Sequence, residues 1–414
     1  MERKVRTGRL KIGMYVSNLD RPWLDTPFLL QGFFIKEKEE ILALDQYCEY
    51  VYIDIDRGIA ADMYWDDYFT LPSNKPMEAF LRSRIREVNY QNKHTIASEI
   101  QSAHTAYEAA IDKYMAVMEA IKQGTKLDLR KVKALVKPLI ESVLRNPDAM
   151  LWLSQLRQSD DYLFTPAIQQ SVLAIVFGRY AGLPERDIMH LALGTLLFDI
   201  GKLNINEQIL LKRTVLNDEE FSKVKQHVDD GYDYLMVFED LHEDTLNTVL
   251  THHERYDGSG YPNKMTGRQI PVFGRIAGMI DCYQAMISKR PYSEAISAHA
   301  ALQKLFGWRN IYFQSELVEQ FLKCMGVHPT GSLLEMKSGE VGIVVEQSPQ
   351  RHTKPKVMLL LDKDKNDLGQ YPTVDLMGES AGRSYEILRG LDPGAYGINS
   401  QLLYQQENYS ISVE

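Results

Sequence analysis

Residues 252–262 read HHERYDGSGYP, which places two neighbouring histidines before a turn rich in glycine. Imidazole nitrogens are common ligands of zinc, manganese and iron ions in proteins. Adjacent side chains point about 100° apart on an α-helix, so the stretch alone leaves open whether His252 and His253 face one site. The pairs Asp-Gly and Ser-Gly, followed by proline, are typical of a turn. The stretch therefore indicates a candidate metal site beside a tight loop.

A second stretch, LLFDIGK at residues 196–202, ends an apolar segment with an acid. We predict a helix that has Pro184 near its first position and runs through RDIMHLALGTLLFDI until Gly201. At 3.6 residues per turn, one face of this helix carries an apolar stripe that Asp199 continues. An acid near the C-terminus of a helix opposes the helix dipole, so we expect a cation close to Asp199.

Further candidate ligands are His227 in KQHVDDGYDYL, Glu254 after the two histidines, and Asp281 in GMIDCYQA. Taken singly, each has a simple structural explanation, because a lone histidine on a helix is more often packed or solvated than bound to a metal. Lys202 is equally ambiguous, since a lysine is a common charge at the end of a helix. The argument for one site depends on these residues acting together.

Taken in order, D-x-x-K at 199–202, His227, HHERYDGSGYP, Asp281 and KRPY at 289–292 resemble the HD-GYP family of the HD superfamily. The resemblance covers about residues 128–330. It implies a helical bundle and a metal-dependent phosphodiesterase, or a relative of one, that acts on cyclic di-GMP. The residues that carry the motif are Asp257, Gly258, Gly260, Tyr261 and Pro262.

The resemblance also implies roles for single residues. One metal ion would be held by Asp199, His227, His252 and His253. Asp281 would bind a neighbouring ion that shares Asp199. The catalytic residues would be Asp199 and Lys202, and the residues that face the nucleotide would be Lys202, Tyr261 and Arg290. Clustered cations of this kind activate a water molecule and hold phosphoryl oxygens.

Two departures from the family fall on ligands of the same metal ion. Phe198 stands where the family has the histidine of its His-Asp pair, and Pro166 stands where it has an upstream histidine. Neither side chain offers a lone pair, so the second ion would keep only Asp199 and Asp281. We therefore expect one divalent transition metal ion, iron, manganese or zinc, with the second site empty. Tyr162, Gln284 and Ser293 are further departures.

The pattern of apolar residues predicts a mainly α protein with a small β-rich N-terminal domain and a β-rich C-terminal extension. The resemblance implies that its helices form an HD-type bundle. The predicted segments are 1–90 for the N-terminal domain and linker, 91–127 for a helical connector, 128–332 for the HD-GYP domain and 333–414 for the extension. GMYV and WLDTPF near the N-terminus resemble the small domain that often precedes HD-GYP modules.

Net charge, cysteine content and the length of apolar runs limit which partners, cross-links and locations we expect. The chain has 414 residues and a formal net charge of −9, which gives no electrostatic reason to expect binding to a nucleic acid duplex. Three cysteines in no CxxC pair argue against a disulfide framework. We find no apolar run long enough to span a membrane, and we expect a cytoplasmic location.

Three hypotheses for the function remain open at this stage. The first is a degenerate HD-GYP protein that binds cyclic di-GMP and signals with weak or absent hydrolysis. The second is an active metal-dependent phosphodiesterase that uses the remaining site. The third is a non-catalytic interaction module for diguanylate-cyclase domains. The retained Lys202, Tyr261 and Arg290 favour nucleotide binding, whereas the missing histidines disfavour turnover. The sequence gives no oligomeric state.

Overall fold

The computed structural model describes residues 2–10, 12, 14–21, 33–35, 38–54, 88–157, 165–289, 294–348, 353–378, 385–399 and 403. The chain divides into two compact units, Met1–Asn74 and Lys75–Glu414. The four predicted segments, with boundaries at residues 90, 127 and 332, stay a prediction.

The first unit holds a four-stranded antiparallel sheet in the order β1-β4-β2-β3, with one helix α1. The elements are β1 (Glu2–Arg6), β2 (Tyr15–Leu19), β3 (Phe33–Phe34), α1 (Lys38–Tyr47) and β4 (Tyr50–Asp54). Side chains of β4 alternate, so Val51 and Ile53 are buried against Leu44 of α1. This sheet confirms the predicted β-rich N-terminal region. The WLDTPF segment lies outside the described residues.

Helices dominate the described part of the second unit. They are α2 (Ile96–Lys122), α3 (Leu129–Arg145), α4 (Pro147–Leu156), α5 (Thr165–Ala181), α6 (Glu185–Leu197), α7 (Glu207–Leu210), α8 (Asp218–Lys225), α9 (His227–Leu235), α10 (Glu243–Thr251), α11 (Val272–Ile287), α12 (Ala298–Gly307) and α13 (Ser315–Met325). The predicted mainly α, HD-type fold is confirmed.

The central helix of this bundle is α5, which is buried on nearly all sides. It packs against α3, α4, α6 and α11. In contrast, α3 is amphipathic, and its buried residues Val132, Leu135, Val136 and Leu139 follow the spacing of one helix face. The side chain of Asp128 accepts a hydrogen bond from the amide of Arg130 and so caps the start of α3.

The helix that leads to Asp199 differs from its prediction at both ends. It begins at Glu185, and Pro184 is the capping residue before it rather than its first residue. It ends at Leu197, and a short 3-10 helix follows over Ile200–Asn204. The tighter turn removes Asp199 from the α-helical stripe. Tyr114 of α2 donates a hydrogen bond to the Leu196 carbonyl at 2.8 Å, which satisfies an acceptor at the end of α6.

Beyond the helices lies a five-stranded antiparallel sheet in the order β8-β7-β6-β5-β9. Its strands are β5 (Leu333–Met336), β6 (Val341–Glu346), β7 (Lys356–Leu361), β8 (Thr373–Asp375) and β9 (Ile387–Gly390). The sheet confirms the predicted β-rich C-terminal region.

Asp148 of α4 joins the helices to the segment that enters this sheet. Its Oδ1 accepts a hydrogen bond from the Thr330 hydroxyl at 2.7 Å. Burial raises the pKa of the Asp148 carboxyl to about 6.

Among the described residues, we find no helix with the length and apolar character needed to cross a membrane. The cytoplasmic location stays a prediction.

Candidate metal centre

Four predicted ligands converge at the ends of three elements. Asp199, His227, His252 and His253 each bring one donor atom within 4.8 Å of the others. Asp199 follows α6, His227 is the first residue of α9, and the two neighbouring histidines follow Thr251 at the end of α10. Because the neighbouring histidines lie beyond the helix, both turn to the same site. Their ring centroids are 4.2 Å apart.

Hydrogen bonds fix the tautomers of the two fully buried histidines. Nδ1 of His227 lies 2.6 Å from the Val224 carbonyl, and Nδ1 of His252 lies 2.7 Å from the Val249 carbonyl. A carbonyl only accepts, so each Nδ1 carries the hydrogen, and Nε2 is the ring nitrogen left to bind a metal ion. This is the way in which proteins orient histidines that bind metals.

Those Nε2 atoms point at each other and at a carboxylate. Nε2 of His227 lies 3.4 Å from Nε2 of His252 and 3.2 Å from Oδ1 of Asp199. Nε2 of His252 lies 3.9 Å from the same oxygen. With neutral rings, three acceptors face one another without a hydrogen between them. A cation among them would stabilise this arrangement, so the donor set fits a divalent metal ion.

The charges of the site agree with a set of metal ligands. Burial lowers the pKa of His252 to about 3, and burial together with His252 holds the pKa of His253 well below its usual value. Burial alone would raise the pKa of Asp199, but Lys202 and His227 outweigh it and hold that pKa well below the usual range. At neutral pH His252 and His253 are therefore neutral imidazoles and Asp199 is a carboxylate, the forms that bind metals.

Lys202 supplies the cation expected beside Asp199. Its Nζ lies 2.6 Å from Oδ2 of Asp199, while the other carboxylate oxygen faces His227. The expectation of a nearby cation is confirmed.

Glycine allows the turn that carries Asp199 to approach α9 closely. A Cβ atom at Gly201 would lie 2.0 Å from the carbonyl oxygen of His227 and 2.7 Å from the amide nitrogen of Gly231. Both atoms belong to the backbone and are not free to rotate away. Gly201 is therefore needed to place Asp199 beside His227.

The DGSGYP loop is held by Glu254 rather than by a metal ion. The two carboxylate oxygens of Glu254 accept hydrogen bonds from the amides of Asn263 and Met265, at 2.7 and 2.9 Å. Glu254 was a candidate ligand, and it lies outside the four-residue cluster.

Motif residues shape the same loop. Asp257 accepts hydrogen bonds from the amide and hydroxyl of Ser259, and Gly258 has a φ of +82° that favours glycine. Gly260 packs against the backbone of residues 253–255. Tyr261 stacks on the His253 ring, with centroids 4.6 Å apart, and a cis peptide bond joins it to Pro262. The loop thus places Tyr261 directly over the cluster.

Asp281 of α11 lies beside the cluster but has a different partner. Its Oδ1 accepts a hydrogen bond from Nε2 of Gln170 at 3.0 Å, and its Oδ2 lies 3.9 Å from Nδ1 of His253. Gln170 lies on α5, one helical turn after Pro166. A neutral amide therefore contacts the carboxylate that the family resemblance assigns to a second ion.

Phe198 is fully buried and packs against the cluster from the other side. Its ring centroid lies 4.4 Å from that of His252. The ring fills space next to a ligand without offering a donor atom. Nearby, Nε2 of Gln284 donates to Oε1 of Gln169 at 2.8 Å and to the Ser288 hydroxyl at 2.9 Å.

Sequence reasoning missed the partner of Asp281 and two residues near Tyr261. Gln170 gave no signal because it lies 111 residues from Asp281 along the chain. Phe221 of α8 meets Tyr261 edge to face at 6.5 Å, and Nζ of Lys225 lies 4.5 Å from the Phe221 ring centroid and 5.6 Å from that of Tyr261. An exposed phenylalanine one helical turn before a lysine, just upstream of His227, was a usable signal.

Some predicted residues lie outside the described part of the chain. Arg290 is one of them, as are the departures at Tyr162 and Ser293. The role of Arg290 stays a prediction.

Family models match three parts of the chain. An HD domain matches residues 149–316, which include every member of the cluster and the DGSGYP loop. A KOW domain associated with HD domains matches residues 333–393, and a domain of unknown function (DUF3391) matches residues 2–132.

Curated proteins show the same similarity. A cyclic di-GMP phosphodiesterase of Pseudomonas aeruginosa is 29% identical over 86% of this chain and 84% of its own length. A cyclic di-GMP phosphodiesterase of Thermotoga maritima is 36% identical, and a cyclic di-GMP phosphodiesterase response regulator of Xanthomonas campestris pv. campestris is 34% identical. These two matches cover 34% and 37% of this chain, and the chain spans 39% and 41% of those relatives.

Among solved structures, an HDGYP protein of Bdellovibrio bacteriovorus aligns with a TM-score of 0.45 and 13% identity, over 78% of this chain and 98% of that one. The family assignment depends on the sequence matches and on the DGSGYP loop beside the four converging donors. These matches confirm the resemblance of the chain to the HD-GYP family of the HD superfamily.

Proposed function

We propose that this chain binds cyclic di-GMP at a site with one metal ion and signals with weak or absent hydrolysis. The observation that carries this proposal is the asymmetry of the centre. Four donors converge at Asp199, whereas Asp281 receives a hydrogen bond from Gln170. The relatives are named as cyclic di-GMP phosphodiesterases, which supports the choice of ligand.

The metal would be held by Asp199, His227, His252 and His253. A divalent ion bound there supplies positive charge for holding phosphoryl oxygens. Lys202 lies at the same edge, with its ammonium group 2.6 Å from Asp199, and would add a second positive charge for the phosphate. The donors are imidazole and carboxylate groups, which suit iron, manganese or zinc and do not choose among them.

Aromatic and basic side chains would form the wall that faces the nucleotide. Tyr261 lies over His253, and Phe221 and Lys225 lie beside Tyr261. The Phe221 side chain is 44% exposed, so its ring is accessible to a stacked base. Arg290 is also proposed to contact the nucleotide, because a guanidinium can stack on guanine or form two parallel hydrogen bonds with it.

Weak hydrolysis follows from the loss of donors on one side of the centre. Phe198 offers no lone pair, and Pro166 at the start of α5 offers none either. Removing only an outer partner of a ligand commonly lowers metal affinity or activity about 10–100-fold, so two missing ligands would have a larger effect. One carboxylate oxygen of Asp281 already accepts a hydrogen bond from the side-chain amide of Gln170.

The experiment measures three quantities on one sample of the purified full chain. Elemental analysis after loading with manganese is expected to give one ion, calorimetry to detect cyclic di-GMP binding, and a turnover assay to show little product. Arg290→Lys is expected to weaken binding and leave the manganese content unchanged. Two stoichiometric manganese ions, or equal affinity for wild type and Arg290→Lys, would contradict the corresponding part of the proposal.

An active phosphodiesterase is the second candidate, and the retained Lys202 with the four converging donors favours it. The same turnover assay decides between the two, because rapid production of linear dinucleotide or GMP would replace the binding-only proposal. A third candidate is docking of a diguanylate-cyclase domain on the DGSGYP loop. Ser259 at the tip of that loop is exposed, and Ser259→Arg is the variant that tests this interaction.

A further inference from the structure

A second group of ligand-type residues lies away from the centre described above. His190, His242 and Asp244 each bring one donor atom within 4.8 Å of the others. His190 lies on α6, His242 is the capping residue of α10, and Asp244 is in the first turn of α10. We call these three residues the His190 cluster.

The His190 cluster includes a buried ring nitrogen that is available to a cation. Nδ1 of His190 is buried and has no hydrogen-bond partner among the described residues. Nδ1 of His242 accepts a hydrogen bond from the Asp244 amide at 3.2 Å, at the long end of the usual range.

The distances match a metal ion better than they match a hydrogen-bonded group. Nδ1 of His242 lies 3.5 Å from Oδ2 of Asp244. Two ligands at about 2.1 Å from a tetrahedral zinc ion are separated by about 3.4 Å. The His190 and His242 rings are stacked, with centroids 4.1 Å apart and planes at 7°, and each ring brings one nitrogen within 4.8 Å of the other ligand atoms. The His242 side chain is 50% exposed and has room to turn its lone pair toward the carboxylate.

We propose that the His190 cluster is a second divalent-cation site, of the imidazole–carboxylate type that takes zinc, nickel or copper ions. Water would complete the coordination, because three protein ligands leave a fourth tetrahedral position open. The site is separate from the proposed nucleotide site and does not depend on the proposed function.

The position of the His190 cluster gives the ion a structural role. Contacts between α6 and α10 follow the same order along both helices. The Thr245 hydroxyl donates to the His190 carbonyl, a Cβ at Gly194 would lie 2.6 Å from Thr248, and the Phe198 ring packs on His252. The two helices therefore run side by side in the same direction.

An ion at the His190 cluster would join the middle of α6 to the start of α10. Their far ends carry Asp199 and His252, two members of the other cluster. The ion would thus hold in register the two helices that present the ligands of the metal centre, without touching the nucleotide.

The test is a zinc titration of the full chain against a chromophoric chelator. His242→Asn removes the imidazole but keeps a side chain that caps a helix well. It is expected to bind one zinc ion fewer than wild type, and Asp244→Asn is expected to bind the same ion at least tenfold more weakly. His104→Ala, which removes a histidine from α2 outside both clusters, is the matched control and is expected to bind as wild type does.

The two sites are distinguished by a double variant. His252→Ala is expected to lose the other ion and keep the one at the His190 cluster, and His252→Ala with His242→Asn is expected to lose both. Zinc should still raise the melting temperature of His252→Ala, and this rise should vanish in the double variant. Equal zinc stoichiometry and affinity in wild type, His242→Asn and Asp244→Asn would overturn the proposal.

Discussion

Replacing Gly201 by alanine should separate Asp199 from His227 and weaken metal binding at the four-residue cluster. The added Cβ would lie 2.0 Å from the His227 carbonyl oxygen, whereas ordinary contacts begin at 3.4 Å. The turn and α9 must therefore move apart by about 1.4 Å, a distance worked from those two values. Metal–ligand distances in proteins are held within about 0.2 Å, so the movement is several times the tolerance.

The expected loss of affinity converts into a loss of stabilisation by the metal. A ligand at 100 times its dissociation constant stabilises the folded protein by about 2.7 kcal/mol. If the affinity falls about 100-fold, the stabilisation at the same metal concentration falls to about 0.4 kcal/mol. The added methyl group also destabilises the protein without metal, by about 1–3 kcal/mol, because the neighbouring atoms belong to the backbone.

The assay compares unfolding of Gly201→Ala and wild type with and without manganese. Wild type is expected to show a clear metal-dependent rise in melting temperature, and Gly201→Ala almost none. Gly378→Ala is the matched control, since a Cβ there would meet no atom within 4 Å. An undiminished metal-dependent rise in Gly201→Ala would refute the assignment of Asp199 and His227 to one ion.

Four further predictions concern the centre and its surroundings. His252→Ala should empty the four-residue cluster and remove the manganese-dependent rise in melting temperature, and an unchanged manganese content in elemental analysis would show that His252 is no ligand. The pKa of Asp148 is raised to about 6, so the folded protein favours the protonated carboxyl. The free energy of unfolding therefore decreases as the pH rises from about 4 through 6 and the carboxyl ionises. Between pH 4 and 7, the free energy of unfolding of Asp148→Asn, measured with denaturant, should therefore rise relative to that of wild type by about 3 kcal/mol at most. A difference between the two proteins that does not depend on pH would contradict this. Phe221→Ala should weaken cyclic di-GMP binding in calorimetry about 5–100-fold if its ring stacks on a base, and an unchanged affinity would remove Phe221 from the nucleotide wall. Phe198→His combined with Pro166→His should add a second ion to the centre and raise the hydrolysis of cyclic di-GMP. A wild type that already hydrolyses cyclic di-GMP as fast as this double variant would refute the hypothesis of weak or absent hydrolysis.

The spacing of apolar residues was enough to predict the helices and the two β-rich ends. In α3, for example, Val132, Leu135 and Leu139 give the helical period directly. Helix ends were less predictable. The sequence placed Asp199 on the helical stripe, whereas the helix stops at Leu197 because the chain tightens into a 3-10 turn.

The candidate site was predictable where its residues lie close to a motif. Four of the proposed ligands converge as the resemblance implied, and Lys202 lies beside Asp199. The hydrogen bond from Gln170 to Asp281 was not predictable, because it joins α5 to α11 and neither local sequence indicates the other. Contacts of this kind depend on how helices pack, which periodicity does not encode.

The hydrogen bond from Tyr114 to the Leu196 carbonyl has a mechanical consequence. α2 has 27 residues, which makes it a rod about 40 Å long. The match to the domain of unknown function continues to residue 132, so this rod belongs to the same matched segment as the N-terminal strands. Tyr114 is buried, and its hydrogen bond joins α2 to the last turn of α6, three residues before Asp199. A displacement or rotation of α2 would therefore also move the end of α6 and, with it, the carboxylate of Asp199.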